Sequence, residues 1–132
     1  MTAAIPTPSV IPYLLYADPA RIRDFLVEAF GFTEDSTHTA PDGTVGNIQL
    51  RMGDKLLMLS SARPEMGLTT PRELTAVHAG VLTYVEDVDA HYDKARAAGA
   101  HIWYEPQDMP YGQREYGARD PENGFWCFAT LL

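Results

Sequence analysis

Short apolar runs and amphipathic stretches alternate along this chain, and their order repeats. Residues 10–16 form a nearly continuous apolar run, which reads as a strand. Next, Ile22, Phe25, Leu26, Ala29 and Phe30 recur at three- and four-residue steps while Arg21, Arg23, Asp24 and Glu28 fall elsewhere on the wheel, predicting a helix that buries one side. Its ends are marked. Asp18 suits the N-cap, Pro19 the first helical position with its missing N–H, and Gly31 a left-handed C-terminal residue. Residues 32–37 read as a strand, Pro41-Asp42-Gly43 as a turn, and 46–52 as a strand in which Ile48, Leu50 and Met52 alternate with Asn47, Gln49 and Arg51. Gly53-Asp54 turns the chain into the apolar run 56–59, as expected for a strand covered on both faces.

The second half follows the same order. Residues 61–76, with Pro64, Gly67 and Pro71, read as a connection. A strand over 77–85 leads to Asp87 and a helix from about 88 to 98 that buries Val88, Tyr92, Ala95 and Ala98. Residues 100–104 read as a strand, 105–113 as a loop with Pro106, Pro110 and Gly112, and 114–119 as a strand; Asp120 to Gly124 form a strong turn before a last strand over 125–131. The fold class predicted is α+β, two tandem βαβββ modules in one domain over 1–132. Module one covers about 8–60, the connection 61–76, and module two about 77–132.

Composition narrows the function. At 132 residues and 45% hydrophobic content there is material for one domain, but a module of about 50 residues is marginal alone, so the halves should share a core or swap between subunits. A net charge of −8, from 10 Lys+Arg against 18 Asp+Glu, argues against nucleic acid and anionic membranes as partners. No 18-residue apolar run and no basic-then-apolar leader are present, so the expected location is the cytoplasm. The single cysteine, Cys127, fits a reducing compartment.

Asp18 to Phe32, Val85 to Asp89 at the second helix entry, Ala97-Ala98-Gly99, and above all Tyr111 to Pro121 with Asn123 to Trp126 resemble the vicinal oxygen chelate superfamily, which includes glyoxalase I, bleomycin resistance proteins and extradiol dioxygenases. The resemblance implies curled mixed sheets around a cleft, in a homodimer with sites near the subunit interface. It also implies one divalent metal held by His or Glu from the first and last strand of each module. The four equivalent positions hold Ile11, Met58, Gly80 and Cys127. One thiol cannot hold a divalent ion, so the expectation is no metal and no cofactor.

The remaining chemistry is sparse. His78, two residues before Gly80, should share its strand face and is a candidate proton carrier, as is Tyr116. His91 and His38 read as solvated, and Cys127 as a small buried hydrophobe whose apolar neighbours Trp126 and Phe128 raise its pKa. Aromatic residues are more informative, because Trp103, Tyr104, Tyr111, Tyr116, Phe125 and Trp126 gather in the last 30 residues or so. Alternation puts Phe125 and Cys127 on the cavity face and Trp126 with Phe128 in packing. Arg114, Tyr116 and Ala118 share one face of their strand and Glu115, Gly117 and Arg119 the other; the sequence alone leaves open which is inward. Arg114 and Tyr116 match the arginine–aromatic pair of small glyoxalase-like members. The expected ligand-binding residues are Met58, His78, Trp103, Tyr111, Arg114, Tyr116, Phe125 and Cys127. The function expected is metal-independent binding of a small aromatic or cationic compound in a dimeric cleft, as sequestration or resistance; the alternative is a glyoxalase-like isomerase or lyase acting on a small carbonyl or hydroxy metabolite.

Overall fold

The computed structural model describes residues 5–132. Strand β1 (Tyr13–Tyr16) leads into helix α1 (Pro19–Phe30), followed by β2 (Thr33–Thr39), β3 (Val45–Met52) and β4 (Lys55–Ser61). After two single turns of 3-10 helix in the connection, the order recurs as β5 (Gly80–Tyr84), α2 (Val88–Ala97), β6 (His101–Met109), β7 (Gln113–Arg119) and β8 (Phe125–Leu131). Each module makes its own sheet. The strand orders are β1-β4-β3-β2 and β5-β8-β7-β6, with β1 parallel to β4, β5 parallel to β8 and the other pairings antiparallel. The helix ends follow from local chemistry: Asp18 accepts the N–H of Arg21 and Asp87 that of Ala90, while Gly31 ends α1 at φ +82°.

Each helix covers one face of its sheet, and the helices pack on each other in the middle of the molecule. Phe30, at the end of α1, reaches into the second module, with ring centroids 4.6 Å from Phe128 and 5.7 Å from Trp126. Ile22, Leu26, Ile48, Leu50, Leu59, Tyr116, Trp126 and Phe128 are all but inaccessible and belong to one cluster. The halves therefore share a core, which is how two small modules escape the marginal stability of either alone.

Two buried carboxylates fasten the modules. Asp120 accepts the Tyr16 hydroxyl at 2.5 Å, the Trp126 indole N–H at 2.9 Å and the backbone N–H groups of Glu122 and Gly124. Glu122, 1% exposed, accepts the N–H groups of Ala17 and Asp18 at 2.7 and 2.8 Å and the Thr70 hydroxyl. A buried charge survives when its oxygens are saturated by donors, and here those donors come from the β1–α1 corner, the connection, the turn after β7 and β8.

Three elements differ from their sequence patterns. β6 continues through Pro106 to Met109, where a loop was expected; it is an edge strand with register shifts between Ile102 and Gln107, so the missing proline N–H costs no ladder bond. β1 begins at Tyr13 and β5 at Gly80, later than their apolar runs, because their partner residues begin at Met58 and Phe125. His91 is not solvated. It is wedged between the modules, with Nε2 2.8 Å from the Phe30 carbonyl and Nδ1 2.6 Å from the Tyr116 hydroxyl. A carbonyl only accepts, so Nε2 carries the proton and Nδ1 accepts from Tyr116.

Candidate functional site

Because successive strand residues point to opposite faces, covering one face with a helix leaves the alternate set open. In the second sheet the cross-strand partners Gly80 and Phe125, Gly117 and Cys127, and Arg119 and Phe125 define that open face, joined by Leu82, Tyr84 and Glu115. Leu82, Tyr84 and Trp103 are 46%, 53% and 57% exposed, an unusual amount of apolar and aromatic surface for one sheet. In the first sheet Tyr13, Leu56, Met58 and Ser60 are the corresponding set.

Three recesses adjoin this surface. One of about 750 Å³ lies between residues 6–12, the start of β4 and the edge strand β5. A second, about 180 Å³, separates β1 from the start of β5, and a shallow third, about 370 Å³, is walled by Trp103 and Arg119. His78, Gly80 and Phe125 line both the second and the third, so these recesses meet there.

Phe125 at that meeting point and Tyr104 on the neighbouring strand each lay a ring over a glycine. A Cβ at Gly80 would stand 2.6 Å from Phe125 Cδ2, and one at Gly117 would stand 2.3 Å from Tyr104 Cε1. Neither ring has room with any other residue beneath it. The result is an aromatic floor on the sheet.

A polar network borders the floor. Glu115 is buried; its Oε1 accepts from Gln113 Nε2 at 2.8 Å and the Tyr111 hydroxyl at 3.2 Å, and its Oε2 accepts from the Tyr104 hydroxyl. The Tyr84 hydroxyl donates to Gln113 Oε1 at 2.6 Å, completing a chain across three strands. Burial first, and then the Glu115 carboxylate, hold the Tyr104 phenol well in its neutral form. The same two causes push the Cys127 thiol up to about 11, so it is a half-buried neutral group and not a thiolate nucleophile.

Of the residues expected to bind ligand, Phe125 and Cys127 face the open side, Trp103 stands at its margin and His78 lies exposed just before β5. Tyr111 is 67% exposed and reaches Glu115. Met58 is on the open face of the other sheet and lines none of the three recesses. Arg114 and Tyr116 lie elsewhere. They project to the helix side, where Arg114 pairs with Asp89 and Asp108 at 2.9 and 3.1 Å and Tyr116 is fully buried against Phe128 and His91, so neither faces the open surface. Glu115, Gly117 and Arg119 take the inward places; Tyr84, which lines the recess of about 750 Å³, and Gln113, which accepts its hydroxyl, were not singled out in the sequence, and Tyr104, noted there only as one of the C-terminal aromatics, lies over Gly117.

The model of the glyoxalase/bleomycin resistance protein/dioxygenase superfamily matches residues 10–128. The chain belongs to this superfamily. An uncharacterised protein of Mycobacterium bovis is 31% identical over 122 residues, which span 90% of this chain and 80% of the relative. Among solved structures, TioX from Micromonospora sp. ML1 is 32% identical, with a TM-score of 0.75 over 93% of this chain and 98% of its own. TnmS3, an antibiotic binding protein from Streptomyces sp. CB03234, shares the fold at 20% identity and a TM-score of 0.71, over 97% of this chain and 100% of its own.

The metal expected from the superfamily's enzymes does not fit these residues. Ile11 and Gly80 offer no donor, Met58 offers a thioether, and Cys127 holds its proton to about pH 11. Among the described residues no three His, Cys, Asp or Glu side chains form a group able to hold an ion. At Gly80, where the first strand of the module would present a ligand, the Phe125 ring lies instead.

Proposed function

We propose that this chain binds a flat aromatic small molecule and releases it unchanged, in a metal-free cleft that a second copy completes. The observation that carries the reading is the pair of rings, Phe125 laid on Gly80, where a ligating side chain would stand, and Tyr104 laid on Gly117. Such a floor favours an offset-stacked ring system. Both Glu115 oxygens are already occupied by neutral donors, so of the two expected ligand types the aromatic is favoured over the cationic. The description of TnmS3 as an antibiotic binding protein is in keeping with sequestration as a use of this fold.

The exposed surface supports a homodimer. The open sheet faces of a single chain leave Tyr13, Leu82, Tyr84 and Trp103 in water, and a twofold-related copy would set the first sheet of one subunit against the second sheet of the other. Thermal unfolding in the presence of a panel of aromatic antibiotics and metabolites, followed by chromatography of the compound, tests the function. A binder at 100 times its dissociation constant stabilises by about 2.7 kcal/mol and should be recovered intact.

A second reading keeps His78, which lines two of the recesses, as a proton carrier in an isomerase or lyase acting on a small carbonyl or hydroxy compound. It requires conversion of the bound compound, with loss of conversion and retention of binding in His78→Gln. Tyr116, buried on the helix side, has no part in it.

A further inference from the structure

We propose that Arg119 anchors an oxyanion, a carboxylate or a phosphate, carried by the aromatic ligand; this deepens the reading of the cleft above and rests on it. Arg119 ends β7 on the open face, directly opposite Phe125. Its guanidinium carbon lies 4.6 Å from the Trp103 ring centroid and 5.1 Å from that of Phe125, so two aromatic rings fix the charged group. Its hydrogen bonding is incomplete. Nη1 donates to the Asn123 carbonyl at 3.2 Å, while Nε is buried and has no partner. A buried unpaired donor on a charged group is costly unless something outside the chain satisfies it.

Charge pairing singles out the same residue. Arg23, Arg51, Arg72 and Arg114 each have a carboxylate within 4.0 Å, as expected in a chain with 18 acidic side chains. Arg119 has none among the described residues. Arg21, Arg63 and Arg96 also lack one, but none of them lines any of the three recesses or leaves a buried donor unpaired. Arg119 borders the recess of about 370 Å³ that it shares with His78, Gly80, Trp103 and Phe125, beside the aromatic floor. A planar guanidinium suits the paired oxygens of a carboxylate or phosphate. The overall charge of −8 repels free anions, so the anchor acts on an anion whose ring system also stacks on the floor.

Isothermal titration calorimetry of the full chain with three probes sharing one ring system tests the anchor: naphthoate, naphthyl phosphate and the uncharged naphthalenemethanol. The wild type should bind at least one anion about tenfold more tightly than the alcohol, the gain of one charge-assisted contact, and the better anion identifies the oxyanion. Arg119→Gln and Arg119→Met, the latter keeping an apolar stem between the rings, should abolish that preference, so that anions and alcohol bind alike; Arg119→Lys should restore part of it. Equal affinity of the wild type for all three probes, or equal weakening of anion and alcohol binding in both neutral variants, overturns the anchor and leaves the aromatic cleft standing. Failure of all three probes to bind overturns both.

Discussion

The ring of Phe125 lies across Gly80, its partner in the register of β5 and β8, so closely that a Cβ there would stand 2.6 Å from its Cδ2. The bare backbone of one strand is the seat of the ring of the next. Gly80→Ala should tilt Phe125 off the sheet, and Phe125→Ala should remove the stacking partner. Each should weaken binding of a naphthalene probe roughly tenfold with little change in unfolding temperature, because the ring is only partly buried and its aromatic contact is worth about 0.5 to 1.5 kcal/mol beyond area. Calorimetry beside thermal unfolding checks this. Unchanged affinity in both variants would remove Phe125 from the site.

Stability should depend most on the carboxylates that fasten the modules. Asp120→Ala leaves the donors of Tyr16, Trp126, Glu122 and Gly124 without their acceptor, and should cost about 3 kcal/mol or more in urea unfolding. Gly124→Ala should cost a similar amount by another route, since its Cβ would stand 2.3 Å from Asp120 Oδ2 and 2.9 Å from the Tyr16 hydroxyl, both held in place. A loss below about 1 kcal/mol in both would show that the network adds little.

Acid should loosen the contact between modules. Burial first, and then the nearby charge of Lys94, set the His91 pKa below its usual 6.5, with the Phe30 carbonyl opposing in part. The unfolded chain therefore takes up this proton before the folded one does. Stability from this residue is intact above about pH 6.5 and declines as pH falls below it towards the folded value. The urea midpoint of wild type should drop between pH 7.5 and 5.5 by more than that of His91→Gln; equal drops would contradict the assignment.

The open faces give a prediction for assembly. Leu82→Asp places a charge on the exposed edge strand β5, and should convert a sedimenting dimer to a monomer without altering the far-ultraviolet spectrum. A wild-type monomer at micromolar concentration would contradict the shared cleft.

Much of this was legible in the chain. The duplicated order of apolar runs and capped helices specified both modules, and alternation separated Phe125 and Cys127 from Trp126 and Phe128. The inward face of β7 was legible in principle too. The five residues Asp120 to Gly124 set an antiparallel register that pairs Gly117 with Cys127 and Arg119 with Phe125, so placing Cys127 on the open face places Glu115, Gly117 and Arg119 beside it. The arginine–aromatic resemblance at Arg114 and Tyr116 pointed the other way. Three features had no local signal: the continuation of β6 through Pro106, which depends on its being an edge; the burial of His91, which depends on the end of α1 reaching it; and the rings over Gly80 and Gly117, which depend on approach across strands.

Native mass spectrometry of the purified protein with metal analysis, before and after addition of an aromatic ligand found by thermal shift, distinguishes an aromatic floor from a metal centre. An aromatic floor requires a dimer without stoichiometric metal that gains one unchanged ligand per chain. One tightly held zinc, nickel, iron or manganese per chain, or appearance of a converted product, would contradict it.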